Sequence, residues 1–151
     1  MKMTKPIASL FIFFTILLSV LVGSQEKAKE LKKSESDVDR EKIVVYYFMT
    51  TTRCQSCLKI ENYTHSCLLE KFSDEMGQGK MEWKMVNIDE NDNKHFVKDY
   101  QIFTKTVVLS KTIDGKEVKW KRLDKVWEYL NNQKKFYNYI ESEIKSFIKE
   151  D

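Results

Sequence analysis

The sequence predicts an α/β domain of three layers whose elements run β-α-β-α-β-β-α. Three observations carry that prediction. "KIVVYYF" (42–48) is β-branched and aromatic almost throughout, the composition of a central strand buried on both faces. Asp114–Gly115 separates two strand-like runs, a strong short-range signal for a hairpin. Stretches of helical period follow the first strand and the last.

Taken in order, strand 42–48 is broken by "MTTTR". A helix is expected from about Cys54 to Met76, ended by "GQG" (77–79). Its apolar stripe is read as Leu58, His65, Leu69, Phe72 and Met76. "EWKMVNID" (82–89) alternates like a strand, and "NDNKHFVKDY" (91–100) reads as a short helix. "TVVLSKT" (106–112) and "KEVKWKRL" (116–123) form the hairpin arms. A long helix over about 124–149 closes the chain, with Val126, Trp127, Leu130, Phe136, Tyr139, Ile140, Ile144, Phe147 and Ile148 at roughly helical spacing. Helices link the first three strands, which favours parallel neighbours through right-handed crossovers.

The preceding residues set the compartment. Lys2 and Lys5 introduce an uncharged apolar run over 7–23, and Val22 and Ser24 fit the small-residue rule for cleavage after Ser24. Residues 1–24 are therefore expected to be a signal peptide or, uncleaved, an inner-membrane anchor, its run being at the short end for a bilayer span. Residues 25–41, "QEKAKELKKSESDVDRE", are charged and nearly free of apolar side chains, as in a flexible linker. The folded domain is expected over 42–151, in the periplasm or another extracytoplasmic space, touching membrane only through an uncleaved N-terminal segment.

Composition excludes other roles. Net charge is +3, from 26 basic and 23 acidic residues with the signs interleaved, so nucleic acid is not an expected partner. Three cysteines are too few for a disulfide-dense scaffold.

The chemistry centres on "RCQSC" (53–57). Two cysteines at this spacing suit a redox disulfide, half of a zinc site, or two inert thiols. Zinc takes about four ligands, and the chain offers one such motif and two histidines, His65 and His95. A two-thiolate site for a soft ion such as Cu(I) is the metal alternative. At i and i+3 of a helix, Cys54 and Cys57 share a face and lie close enough for a disulfide. Helix N-terminal N–H groups and the charge of Arg53 favour a thiolate at Cys54. Ten residues on, Cys67 would lie about 15 Å along the axis and about 80° around it. That is too far to pair with the motif, and a free thiol, part-exposed or packed against the C-terminal segment, is expected.

A Cys-x-x-Cys where the first strand turns into the first helix, with this element order, resembles the thioredoxin fold across about residues 42–149. More narrowly, "YYFMTTTRCQSCLKIE", "VNIDENDNKHFVKDYQIFTKTVVL" and "DGKEVKWKRLDKVWE" are similar to a family of small exported bacterial thioredoxin-like proteins, some labelled nitrophenyl-compound nitroreductase subunits. The resemblance implies a thiol-disulfide oxidoreductase with a protein thiol, disulfide or redox donor as partner. Cys54 would be the attacking thiol and Cys57 the resolving one. No residue pattern suggests a flavin, nicotinamide or other cofactor. The alternative is a binding module or subunit whose two thiolates hold a soft metal or metalloid, or which acts without turnover.

Two departures from the thioredoxin pattern bear on mechanism. Thioredoxins keep a buried acid on the first strand beneath the cysteines, and "KIVVYYF" has none. Glu61, one turn after Cys57, is the candidate proton acceptor, or else a solvated carboxylate. Thioredoxins also place a cis-proline before the third strand, whereas the single proline here is Pro6. Lys105 in "TKT" falls at that position, with a trans bond expected because cis costs about 2.5–4 kcal/mol without proline. Its ammonium is expected either near the pair, lowering the Cys54 pKa, or in solvent.

The N-terminal reading has a direct test. A fusion of residues 1–30 to alkaline phosphatase, which is active only outside the cytoplasm, is expected to be active in a Gram-negative host. An inactive fusion would remove the extracytoplasmic assignment.

Overall fold

The computed structural model describes residues 41–150; the expected signal and nearly all of the expected linker lie outside the described residues. Strand β1 spans Glu41–Met49, followed by helix α1, Gln55–Lys71, and a short helix α2, Ser73–Gly77. Strand β2 is Met81–Asn87. A 3₁₀ turn, Asn91–Asn93, and helix α3, His95–Asp99, lead to strands β3, Thr106–Ile113, and β4, Lys116–Leu123. A second 3₁₀ turn, Asp124–Val126, precedes helix α4, Gln133–Lys149. No helix among the described residues is long and apolar enough to cross a membrane.

The four strands form one mixed sheet in the order β2-β1-β3-β4, with β1 and β2 parallel and the other pairs antiparallel. Along β1, Ile43, Val45 and Tyr47 point into a core shared with α1 and α4, including Ile60, Leu68, Phe136, Ile140, Ile144 and Phe147. Phe48 packs on the opposite face with Tyr100, Ile102 and Val108. Tyr46, Phe96 and Trp120 pack around this second cluster. The sheet is therefore sandwiched between α1 and α4 on one side and the smaller α3 region on the other. Together with a Cys-x-x-Cys at the start of α1, this is the thioredoxin-like architecture.

The Asp114–Gly115 turn is as expected: both residues have positive φ, 52° and 74°. A two-residue turn of this kind matches the strand twist, and glycine takes the conformation without steric cost.

Four expectations are corrected. Strand β3 runs antiparallel to β1, not parallel. The segment between β2 and β3 contains only a five-residue helix and a 3₁₀ turn. It stays at the end of the sheet where Phe48 faces Thr106, so the chain re-enters in the opposite direction. The long closing helix begins at Gln133 rather than near 124. Asn132 is extended and its side chain accepts from the Lys135 N–H at 2.9 Å, so it caps a new helix. The first helix stops at Lys71, because Phe72 has left helical geometry at φ −134° to bury its ring.

The fourth correction concerns helix phase. The buried residues of α1 are Cys57, Ile60, Thr64, Cys67 and Leu68, not the stripe through Leu58, His65 and Leu69. Leu69 is 54% exposed and its neighbour Leu68 fully buried. Of the two placements expected for the free thiol Cys67, the structure shows packing against the C-terminal segment: it is fully buried, with its sulfur 3.7 Å from the Tyr137 carbonyl of α4.

Two adjacent leucines make the phase measurable. Leu68→Ala is expected to lower unfolding stability by about 2–5 kcal/mol, through lost burial and a residual cavity. Leu69→Ala is expected to change it by no more than about 0.5 kcal/mol. Urea midpoints of the two variants decide the matter, and equal losses would contradict this packing.

Candidate active site

The motif lies where the central strand hands over to α1. Strand β1 ends at Met49, and the loop that follows is pinned to the far end of β2. The Thr51 N–H donates to Asp89 Oδ2 at 2.8 Å, and Asn87 Nδ2 donates to Thr51 Oγ1 at 3.1 Å. Cys54 is then the extended N-cap of α1, and its sulfur accepts from the Cys57 N–H at 3.2 Å. Helix N-termini leave N–H groups without carbonyl partners, and here a sulfur occupies the capping position usually filled by an oxygen.

Cys54 and Cys57 form a disulfide, with Cα atoms 5.0 Å apart. The two sulfurs have unequal surroundings. Cys54 is exposed, whereas Cys57 is fully buried in the first turn of α1. An external thiol or disulfide can reach only the first of them.

Among the other residues singled out from the sequence, Lys105 is brought to the cysteines. Its Nζ donates to the Thr52 carbonyl at 2.7 Å and lies 3.4 Å from Cys57 Sγ. The sulfur it contacts is that of Cys57, where the expectation was an action on Cys54. The peptide at Lys105 is trans, as every described peptide is. Arg53 and Glu61 are brought together with each other. Arg53 Nη2 donates to Glu61 Oε2 in a part-buried ion pair, and Nη1 lies 3.0 Å from Met49 Sδ. Arg53 therefore meets a compensating negative charge beside the motif, and Glu61 is engaged by a guanidinium. His65 stacks on Trp83, ring centroids 5.6 Å apart, in a half-buried structural position.

Two residues at the site were not found in the sequence. Tyr47 is fully buried beneath the motif, and its hydroxyl donates to the Cys57 carbonyl at 2.8 Å. Burial holds its phenol above the ordinary range, with the Arg53 guanidinium opposing. The signal available was a tyrosine within a buried strand, since a buried phenol requires a partner for its hydroxyl. Trp127 was assigned to the closing helix. It lies instead in the turn before α4, and its indole N–H donates to the Lys105 carbonyl at 2.7 Å. That bond ties the backbone of the loop before β3 to the turn before α4. Beside it lies a cavity of about 90 Å³ lined by Phe103, Thr104, Thr106, Arg122, Asp124 and Trp127. Phe103 is 77% exposed, with the Arg122 guanidinium 4.5 Å above its ring.

No cluster of three or more histidine, cysteine or acidic side chains suited to a metal ion occurs among the described residues. Cys67 stands apart from the site. Burial, with Glu141 and Glu70 adding to it, pushes its thiol up to about 12.

The burial of Cys67 sets two expected outcomes. In the folded, reduced protein, a disulfide chromogen should release two equivalents per chain, one by attack of the exposed Cys54 and one as Cys57 closes the Cys54–Cys57 bond, and a third only after unfolding exposes Cys67. The folded state holds the Cys67 proton up to about pH 12, whereas an unfolded thiol loses it near pH 9. The associated stability is complete below about pH 9 and lost as pH rises through 12. Cys67→Ala should flatten that alkaline loss; rapid labelling of Cys67 in the native protein would contradict its position.

Comparison with known proteins adds the following. No family model and no curated relative matches the chain. Among solved structures, it is similar to thioredoxin from Fasciola hepatica at 20% identity, covering 76% of this chain and 92% of that one, with a TM-score of 0.38. It is similar to Plasmodium falciparum thioredoxin at 17% identity, covering 71% and 87%, with a TM-score of 0.40. For thioredoxin from Trypanosoma brucei brucei the identity is 17%, the coverage 76% and 85%, and the TM-score 0.39.

Proposed function

We infer that this protein is an exported thiol-disulfide oxidoreductase that cycles Cys54 and Cys57 between dithiol and disulfide. The observation that carries the reading is the asymmetry of the pair: an exposed sulfur capping a helix, joined to a fully buried one. A single accessible sulfur at a helix N-terminus can attack a partner's disulfide, and its neighbour can then release the product.

In the reducing direction, the Cys54 thiolate attacks one sulfur of a partner disulfide. A Cys54–partner bond forms, the partner's S–S bond breaks, and the first partner sulfur leaves as a thiolate. The Cys57 thiolate then attacks Cys54 Sγ, forming the Cys54–Cys57 bond and expelling the second partner sulfur. Two electrons pass from the pair to the partner, and the reverse sequence oxidises a partner dithiol. The exposed Phe103 ring and the cavity beside it flank the Lys105 loop, offering an apolar contact to a partner chain laid across the site.

The second reading, a module that binds a soft ion through two thiolates, is favoured by the missing strand acid and the missing proline. One pair of experiments separates the readings. In the insulin disulfide assay with dithiothreitol, the protein is expected to accelerate turnover, Cys54→Ser to abolish it, and Cys57→Ser to accumulate mixed disulfides with the partner. Absence of turnover together with stoichiometric Cu(I) binding by the reduced protein would replace the first reading with the second.

A further inference from the structure

We propose that Lys105 is the counter-charge of the buried cysteine: its ammonium holds Cys57, in the reduced protein, as the thiolate that resolves the mixed disulfide. The proposal rests on the oxidoreductase reading and deepens it by naming the group that activates the resolving sulfur.

The need for such a group follows from burial. Cys57 is fully buried, and burial in apolar surroundings disfavours a thiolate. In this chain β1 supplies no acid below the pair. The polar groups of the elements around the motif answer the question of what does. From β1 comes Tyr47, whose hydroxyl is spent on the Cys57 carbonyl. From the motif loop and α1 come Arg53 and Glu61, which are paired with each other. From the turn before α4 come Trp127, bonded to the Lys105 backbone, and Asp124, paired with Arg122. From the loop before β3 comes Lys105, whose ammonium lies 3.4 Å from the sulfur itself.

The ammonium is also aimed. The Thr52 carbonyl takes one of its protons at 2.7 Å, and Trp127 fixes the backbone from which it projects. A cation at this range favours the ionised form of a thiol. The two sulfurs of the reduced pair then have separate stabilisers: the N–H groups of α1 for Cys54, and Lys105 for Cys57.

The step balances without a base. The Cys57 thiolate, paired with the protonated Lys105, attacks Cys54 Sγ of the mixed disulfide. The Cys54–Cys57 bond forms, the bond from Cys54 to the partner breaks, and the partner sulfur departs with the electron pair. Lys105 stays protonated throughout, and the partner thiolate takes its proton from solvent. Stabilising a thiolate stabilises the reduced state, so Lys105 also makes the disulfide more oxidising.

The test isolates Cys57 in a Cys54→Ser background. Serine is a good N-cap, so the helix start is retained. Ultraviolet thiolate absorbance is titrated against pH, with the Cys54→Ser/Cys57→Ser protein as blank. Adding Lys105→Gln, which retains a donor for the Thr52 carbonyl and removes the charge, is expected to raise the Cys57 pKa by about one unit, a tenfold loss of thiolate. Lys105→Arg, which retains the charge, should restore most of it. In the intact pair, at a pH above the Cys57 titration in both proteins, Lys105→Gln should shift the glutathione equilibrium about tenfold toward the disulfide, about 30 mV. Coincident titrations for Lys105 and Lys105→Gln would overturn the proposal, as would a failure of arginine to rescue. The titration reads the charge effect whether or not insulin is reduced, so failure of the oxidoreductase reading would show separately, in the turnover assay.

Discussion

The placement of Cys57 constrains this domain more than any other single feature. It is buried in the first turn of α1, covalently joined to the capping cysteine and hydrogen-bonded through its carbonyl to Tyr47 of the central strand. Once that residue faces inward, the 3.6-residue period carries Ile60, Thr64, Cys67 and Leu68 to the same side. Those residues form the surface against which Phe136, Ile140 and Phe147 of α4 and Val45 and Tyr47 of β1 assemble the main core. The alternative stripe through Leu58 and Leu69 has as much apolar character, yet it would turn Cys57 outward and detach the disulfide from the sheet. The redox pair and the helix packing are therefore solutions to one constraint.

The loop before β3 contains no proline and is held by side-chain hydrogen bonds, from the Trp127 indole to the Lys105 carbonyl and from the Lys105 ammonium to the Thr52 carbonyl. Thr52 belongs to a loop itself tied to β2 through Thr51, Asn87 and Asp89. The cysteine loop, the β3 entry and the turn before α4 are thus linked by side-chain hydrogen bonds across three separate stretches of chain.

What could be read from the sequence divides along the same physical line. Strand β1, the 116–123 arm and the Asp114–Gly115 turn were legible because each depends on its own residues: β-branched burial in one case and positive φ in the other. The cysteine motif at a strand-to-helix junction was legible for the same reason. Helix phase was not, because two stripes competed and tertiary burial of Cys57 chose between them. The start of α4 was masked by the apolar run 126–130, whose side chains have roughly helical spacing but lie in a 3₁₀ turn and the coil after it. Asn132 was the available cap signal. Strand direction at β3 was set by the shape of a connection that, as sequence, looked like an ordinary crossover. Tyr47 and Trp127 are the deepest misses. Each reads as a core aromatic until the partner of its polar atom is known, and those partners lie ten and twenty-two residues away.

The charges near the disulfide follow from these placements. A buried cation is costly unless its charge is answered, and Arg53 is answered by Glu61 inside a part-buried pair. Lys105 is arranged differently. It is half-buried, it spends one donor on a backbone carbonyl, and it presents the same ammonium to a sulfur that is neutral in the disulfide and becomes ionisable on reduction. Its interaction with the site is therefore weak in one redox state and strong in the other. A group that binds two states unequally shifts the equilibrium between them by that difference. Lys105 is thus poised to act on the redox equilibrium itself, which the neutralised Arg53–Glu61 pair is not.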